Sequence, residues 1–220
     1  MSVTRRTVLS GALGGALAAP FLAQFGGTAF GATPNATWGT VSSGWVELRY
    51  SSEALAQFDH LHAVVEHIAP ATAITENGTT VGARFPIHSA TGNPALTNLP
   101  QAEGNALLDG GVMVRAPMGQ FTFTQLRPTL DNELASCTYT VNGVESSGQS
   151  LLRCGASQGR LLAHPVPAGQ PLSIRIERVP VYPTTESLAA FASAFGTPTF
   201  TVDTVLAYLT AEAVYNPPRA

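Results

Sequence analysis

The segment FDHLHAVVEHI holds three of the five histidines of the chain, together with a glutamate. His60 and His62 are two residues apart, so a β-strand would place both on one face, and Glu66 would share that face. Imidazole and carboxylate groups are the ligands that first-row transition metals accept. His60, His62 and Glu66 are therefore the candidate metal ligands of this sequence.

The spacing of these three residues resembles the first metal-binding motif of cupins, which are small metal-binding β-barrels. The glycines that frame that motif are missing here. The segment PVPAGQPLSIRI contains a turn like that of the second cupin motif, but no histidine follows it and His164 precedes it. The favoured alternative is a connection between a helix that ends near Asp59 or His60 and a strand that begins near Ala63. In that connection His60 and His62 would point apart and stay in solvent.

The segment GASQG, residues 155–159, matches the Gly-x-Ser-x-Gly pattern of hydrolase nucleophiles. That motif needs a helix directly after the serine and a histidine late in the chain. Ser157 is followed instead by RLLAHPVP, which is typical of a strand, and the only later histidine is His164. We interpret the segment as a glycine-rich turn. The sequence predicts no catalytic residue, and an enzyme is the less favoured hypothesis.

The two cysteines, Cys137 and Cys154, lie in segments that look like two strands joined by the polar turn NGVESSGQ. A hairpin centred between Glu145 and Ser146 would place the two cysteines opposite each other. In an oxidising compartment such a pair forms a disulfide. The sequence therefore predicts a Cys137–Cys154 disulfide.

The N-terminal segment TRRTVLSGALGGALAAPFLA has the layout of a secretory signal, with charged residues before an apolar run. The adjacent pair Arg5 and Arg6 resembles a twin-arginine signal, which directs folded proteins across the membrane. Small residues near Ala32 offer a cleavage site. We expect residues 1–32 to be a signal peptide and residues 33–220 to be one extracellular domain, secreted or held at the cell surface, with no transmembrane segment after cleavage.

The charge balance limits the partners of this domain. The chain has 14 acidic residues against 11 basic ones, and two of the basic ones lie in the signal. An acidic domain is poorly suited to bind nucleic acid or an anionic membrane surface. The sequence predicts an extracellular ligand or a cell-envelope component as partner, and names no cofactor.

Alternation of apolar and polar residues dominates the rest of the chain and predicts β-strands. It places Val46, Leu48 and Tyr50 on one face of a strand, and Val81, Ala83, Phe85 and Ile87 on one face of another. Candidate core pairs follow the same spacing: Val112/Val114, Phe121/Phe123 and Ile174/Ile176. We expect a mainly β domain, an antiparallel β-sandwich or flattened barrel with two short helices.

The two helices are predicted in SSEALAQF, residues 51–58, and TTESLAAF, residues 184–191. Each begins with two hydroxyl residues and a glutamate, which cap the first N–H groups and suit the helix dipole. Each follows an apolar strand. We expect the helices to cover opposite ends or edges of the β structure.

The order of these segments resembles secreted actinobacterial domains related to the HtaA-type haem-uptake domain. The resemblance spans roughly residues 38–203 and rests on three features: Phe85-Pro86 after a strand, a turn with Gly104, Gly110 and Gly111, and Phe195-Gly196. It implies a β-sandwich-like extracellular domain used for binding or surface architecture.

The resemblance also implies a haem site, which in such domains uses a tyrosine shortly after a Trp-Gly pair, supported by a histidine. Trp38-Gly39 is present, but Tyr50 lies further along than that pattern has it, so no haem ligand is carried over. The favoured function is a secreted, non-catalytic binding or cell-surface domain. The alternatives are a metal-dependent cupin-like enzyme that uses His60, His62 and Glu66, and a haem-binding protein.

Overall fold

The computed structural model describes residues 38–93, 101–164 and 166–218. This part of the chain forms twelve strands, two α-helices and one short 3-10 helix. The strands are β1 Gly39–Tyr50, β2 Val64–Ile68, β3 Thr72–Glu76, β4 Thr79–Gly92, β5 Gly104–Leu108, β6 Gly111–Ala116, β7 Gly119–Pro128, β8 Leu134–Val141, β9 Val144–Cys154, β10 Arg160–Ala163, β11 Leu172–Pro183 and β12 Ala207–Asn216. The helices are α1 Ser52–His60, α2 Thr185–Phe195 and the 3-10 helix Ala156–Gln158.

All twelve strands belong to one antiparallel sheet. Its order is β2-β6-β7-β8-β9-β11-β12-β1-β4-β3, with β10 paired to β11 and β5 paired to β4. The first and last strands of this order, β2 and β3, are neighbours in the chain, so the two edges of the sheet come together. The prediction of a mainly β domain, an antiparallel β-sandwich or flattened barrel with two short helices, is confirmed, and the barrel-like form is the one observed.

Hydrogen bonds join the sheet where its edges meet. His67 on β2 donates through Nε2 to the carbonyl of Gly82 on β4, at 3.2 Å. The amide of Asp109 donates to the carbonyl of Pro86 at 3.0 Å, and that of Leu130 to the carbonyl of Gly104 at 2.9 Å. These bonds satisfy edge groups that would otherwise pair with another chain.

The apolar face of each strand points into the barrel. Ala83 and Phe85 are fully buried, and Val112, Val46 and Leu48 are each under a tenth exposed. Of the predicted core pairs, Val114, Phe121 and Ile174 are also buried, and Phe123 and Ile176 are partly buried against the core. On the outside, Glu47 pairs with Arg84, so the alternation separates a dry face from a charged one.

Left-handed residues bend two of the long strands. The register of β7 against β8 shifts beside Gln125, which has φ 53°, and that of β11 against β12 shifts beside Arg178, which has φ 58°. A bulge of this kind kinks its strand and increases the local twist. The bends curve the sheet enough for its edges to meet.

Both predicted helices are present and begin at the predicted caps. The Ser51 side chain accepts a hydrogen bond from the amide of Ala54, and that of Thr184 accepts one from the amide of Ser187, each at 3.1 Å. The expectation that they cover opposite ends is wrong. Tyr50 and Val181, at the ends of β1 and β11, both pair with Ala207, so α1 and α2 leave the barrel at the same end.

The predicted disulfide is not present, because the predicted hairpin centre was wrong. The β8–β9 turn lies at Asn142-Gly143, with φ 48° and 87°, which is the geometry of a tight two-residue turn. This register places Cys137 opposite Gln149, whereas Cys154 lies beyond Arg153, the partner of Leu134. Both cysteines are free thiols.

The glycine turn before β6 is a point of close packing. Gly110 has φ 88°, and a Cβ there would overlap the amide of Ala71 and the carbonyl of Ile68. Gly143 has nearly the same φ, 87°, but a Cβ there would meet nothing within 4 Å. Gly110 therefore lets the β2–β3 turn approach β6 at the closure of the sheet.

Two predictions from the N-terminal sequence concern residues outside the described part: the twin-arginine pair Arg5 and Arg6, and cleavage near Ala32. Among the described helices, none is both long and apolar enough to cross a membrane.

Replacement of Gly110 by alanine should lower the free energy of unfolding by about 3 kcal/mol. Positive φ accounts for about 1–2 kcal/mol of that, and displaced backbone for the rest. Gly143→Ala is the matched control and should cost only the conformational part. Urea denaturation of both variants measures the difference, and equal losses would contradict the close approach at Gly110.

Both thiols should be inert in the folded protein. Burial raises the pKa of Cys137 and of Cys154 to about 12, and the thiolate is the reactive form. We expect a disulfide-exchange reagent at pH 8 to react at least about a hundredfold more slowly with native than with urea-unfolded protein. Two thiols should appear on unfolding. A cross-linked Cys137–Cys154 peptide in unreduced digests would contradict the structure.

Candidate functional site

The structure does not bring the three candidate metal ligands together. His60 is the last residue of α1 and is exposed, and His62 lies in the following turn with φ 50°. Glu66 lies on β2 and forms an ion pair with Arg115 on the neighbouring strand. α1 ends at His60 and β2 begins at Val64, which agrees with the predicted connection between a helix and a strand. Within residues 38–93, 101–164 and 166–218, no three ligating side chains are grouped so that they could hold a metal ion.

Of the other three described histidines, His164 is exposed and the remaining two make contacts elsewhere in the fold. His67 bonds to the Gly82 carbonyl at the sheet closure, and its pKa is lowered by burial. His88 lies 3.1 Å from an oxygen of Asp109 on the surface. These contacts give each of the two a structural partner.

Ser157 is not in a nucleophile elbow. It lies in the short 3-10 helix between β9 and β10, is exposed, and its amide donates to the Glu133 carboxylate at 3.0 Å. The motif needs a strand followed by an α-helix that points the serine at the end of a sheet. The interpretation of GASQG as a turn agrees with this geometry.

The most distinctive chemical environment is the interior of the barrel. Small side chains occupy several inward positions of β12, where Ala207, Ala211 and Ala213 alternate with Leu209 and Tyr215. A small barrel is ordinarily filled by its inward side chains. Here the alanines leave two cavities, one at each end of the barrel.

The first, which we call the helix-end cavity, has a volume of about 120 Å³. Its floor is formed by strand residues such as Leu48 and Val181, and its cover by Phe58 of α1 and Phe191 of α2. Phe200, in the connection to β12, packs edge-on against Phe191 with ring centres 5.0 Å apart. The wall is almost wholly apolar.

A buried polar contact holds this cover in place. Gln57 on α1 is only 4% exposed, and its side-chain oxygen accepts hydrogen bonds from the amide and the hydroxyl of Thr199. The bonds tie the first helix to the connection that carries Phe200. A buried amide is stable only where it is hydrogen-bonded, so this pairing fixes how the cover sits.

Tyr50 lines the helix-end cavity at the end of β1. Its ring packs edge-on against Phe58, with centres 5.5 Å apart and planes at 84°. Its hydroxyl is shielded from solvent and has no hydrogen-bond partner among the described residues. Burial raises the pKa of Tyr50 well above its ordinary range, so the hydroxyl stays protonated.

The second, which we call the β5-end cavity, has a volume of about 170 Å³. Its wall includes Ile174, Ala106 on β5 and the thiol-bearing Cys154. Tyr215 also lines it, but its hydroxyl donates to the Gly92 carbonyl at 3.2 Å. The two tyrosines thus stand at opposite ends of the interior, one with a partner and one without.

The sequence contained a signal for these cavities that the strand analysis did not use. AYLTAEAVY, residues 207–215, alternates perfectly, and three of its five inward positions are alanine. Alternation predicts which side chains face inward. The empty volume depends on what stands opposite them across the barrel, and the sequence does not show that.

Comparison with solved structures supports the fold. The N-terminal domain of HtaA from Corynebacterium glutamicum shares 14% identity, with a TM-score of 0.52, over 80% of this chain and 98% of that domain. The C-terminal domain of the same protein shares 10% identity, with a TM-score of 0.49, over 82% of this chain and all of that domain. No protein-family model matches the chain, and no curated protein matches it significantly in sequence. The resemblance to the HtaA-type domain is confirmed at the level of fold.

The haem that this resemblance implies does not fit the residues around Tyr50. An iron ligand must be a phenolate that faces open space, whereas the Tyr50 hydroxyl is protonated and enclosed. No histidine lines the helix-end cavity, and about 120 Å³ is far below the 300–1,000 Å³ typical of sites for larger ligands. We therefore assign no haem site to the residues around Tyr50.

The histidine placement leads to a stability prediction. Replacing His60 by alanine together with His62 by asparagine should change the free energy of unfolding by less than about 0.5 kcal/mol, because both side chains are exposed. Asparagine tolerates the positive φ of residue 62. Thermal unfolding measures the change.

His67→Ala is the matched control, since His67 is partly buried and bonded to Gly82. We expect it to cost about 1 kcal/mol or more. A large loss in the His60/His62 variant, or a metal ion bound by the unmodified protein and lost from that variant, would favour the metal hypothesis.

Proposed function

We propose that this chain is a secreted, non-catalytic binding domain that holds small apolar molecules inside its barrel. The observation that carries the proposal is the pair of apolar cavities, of about 120 Å³ and 170 Å³, left by small inward side chains. An engineered apolar cavity of about 150 Å³ stays dry and takes up benzene. The two cavities are of comparable size.

Energetics support an occupant for these spaces. Empty volume in a core costs about 24 cal/mol per Å³ where the walls do not collapse, so a void of about 100 Å³ costs on the order of 2 kcal/mol. A molecule that fills the void restores the lost packing contacts. A barrel with alanines facing inward is thus better suited to binding a small ligand than to reaching the highest possible stability.

The chemistry of the walls favours binding over catalysis. Among the described residues that line the two cavities, none carries a carboxylate, an imidazole or a cationic group. Activation of a hydroxyl or thiol group requires an adjacent base or a lowered pKa. The wall residues with such groups are Tyr50, Thr91, Thr129, Cys154, Ser187 and Tyr215. Burial instead raises the pKa of Tyr50 and Cys154.

The place of action is proposed from the sequence. Arg5 and Arg6 favour export by the twin-arginine route, and the similarity to the HtaA domain fits a protein that works outside the cytoplasm. The partner would then be an extracellular ligand or an apolar component of the cell envelope. The acidic charge balance supports neither a nucleic acid nor an anionic surface.

The test is ligand-dependent stability, with benzene and toluene as probes. A ligand that binds only the folded state stabilises it by about 1.4 kcal/mol at ten times its Kd. We expect each probe to raise the melting temperature and to shift NMR signals of inward-facing residues. No rise and no shift would contradict the proposal.

Three variants show where the probes bind. Ala207→Leu should fill the helix-end cavity and Ala211→Leu the β5-end cavity, so each should remove part of the stabilisation and the two together nearly all of it. Ala192→Leu adds the same side chain on the exposed face of α2 and is the control. Full stabilisation in the double variant would place the probes outside the barrel.

A further inference from the structure

The unpartnered hydroxyl of Tyr50 carries information about what the helix-end cavity binds. A buried hydroxyl without a hydrogen bond costs about 1–3 kcal/mol, and native structures contain few such groups. Tyr215, at the other end of the interior, has the hydrogen bond that a buried hydroxyl ordinarily forms, because it donates to the Gly92 carbonyl. The Tyr50 hydroxyl has no such partner among the described residues, although it is shielded from solvent.

The position of the Tyr50 ring is set by its surroundings. It stands directly opposite Ala207 on β12 and edge-on to Phe58 on α1. The amide of Ser51, the next residue, is bonded to the Leu206 carbonyl at 2.9 Å, which holds the end of β1. The small side chain of Ala207 leaves room next to the tyrosine.

Neighbouring polar groups and water do not supply a hydrogen-bond partner for this hydroxyl. Gln57 and Ser187 are the other polar residues on the wall of the helix-end cavity. The side-chain oxygen of Gln57 is bonded to Thr199. A buried water needs two to four polar partners, and a wall this apolar offers few.

We propose that the helix-end cavity binds a neutral, mostly apolar molecule with one carbonyl or hydroxyl oxygen, which accepts a hydrogen bond from the Tyr50 hydroxyl. The inference rests on the proposed function and narrows it to a ligand class. The ligand is neutral because, among the described residues, no charged side chain lines the cavity to compensate a buried charge. It is small because the cavity measures about 120 Å³. The raised pKa of Tyr50 keeps the donor protonated at any physiological pH.

The experiment compares two probes of nearly equal shape, cyclohexanone and methylenecyclohexane. Cyclohexanone has a carbonyl oxygen where methylenecyclohexane has a methylene group, so only the ketone accepts a strong hydrogen bond. Affinities are measured by NMR titration with the unmodified protein, with Tyr50→Phe and with the control Tyr208→Phe. Tyr208 lies on the outer surface and is 47% exposed.

We expect Tyr50→Phe to weaken cyclohexanone binding roughly three- to tenfold and to leave methylenecyclohexane binding unchanged or tighter. Tyr208→Phe should change neither. The carbonyl stretching frequency of bound cyclohexanone should lie lower in the unmodified protein than in Tyr50→Phe, because a hydrogen bond weakens the C=O bond.

Stability without any ligand gives an independent readout. Tyr50→Phe removes an unpaired hydroxyl and should leave the melting temperature unchanged or higher. Tyr215→Phe removes a paired one and leaves the Gly92 carbonyl without its donor, so it should lower the melting temperature. A marked drop in Tyr50→Phe would show that the hydroxyl already has a structural partner and would overturn the inference.

The remaining outcomes separate this inference from the proposed function. If both probes bind and Tyr50→Phe weakens them equally or not at all, the hydrogen bond is refuted while the binding function stands. If neither probe binds the unmodified protein, the proposed function itself fails. Haem uptake with a Soret shift that Tyr50→Phe abolishes would also overturn the inference, since it would make Tyr50 an iron ligand.

Discussion

Closure of the antiparallel sheet is the constraint on which the rest of this structure depends. The strands at the two edges, β2 and β3, are adjacent in the chain, and the closure is held by bonds such as that from His67 to the Gly82 carbonyl. A closed sheet leaves few backbone groups for other chains, which removes the usual hazard of exposed strand edges. It also divides every strand into one face toward solvent and one toward an enclosed space. What fills that space then decides both stability and function.

The enclosed space is only partly filled by the protein itself. The middle of the barrel is occupied by large side chains such as Phe85, whereas alanines of β12 face inward toward the ends. At one end, the helices that follow β1 and β11, the strands on either side of β12, supply aromatic rings as a cover. Both helices lie at this end because the strands before them run in the same direction and pair with the same strand, so that Tyr50 and Val181 both stand opposite Ala207. Binding capacity thus arises from small residues inside and aromatic residues above them.

The glycines and the phenylalanine on which the predicted resemblance to HtaA-type domains rested have packing roles here. Gly110 admits the β2–β3 turn, Gly39 admits the Tyr215 ring, and Gly196 ends α2 with φ 83°. Phe85 is fully buried in the centre of the barrel. Each of these residues meets a requirement of the backbone or of core packing. A similarity that rests on such residues indicates a common fold and does not identify the ligand.

The sequence by itself determined the local features of this protein. Alternation identified the inward faces around Val46, Phe85 and Val112, because the two-residue period of a strand depends on nothing further away. The helix caps at Ser51 and Thr184 could be predicted from the sequence equally well, because a cap involves only the next three residues. The sequence also predicted the end of α1 and the start of β2, and His62 lies in the connection between them.

Only the tertiary structure decided how those local features meet. The β8–β9 turn centred three residues away from its predicted position, at Asn142-Gly143, which separated Cys137 from Cys154 and left both thiols free. The side on which the helices lie, the two cavities and the unpaired hydroxyl of Tyr50 depend on contacts between residues more than a hundred positions apart, such as Gln57 with Thr199. Such contacts follow from strand order and curvature, which a periodic pattern does not encode, because the same alternation fits many orders of strands around a barrel.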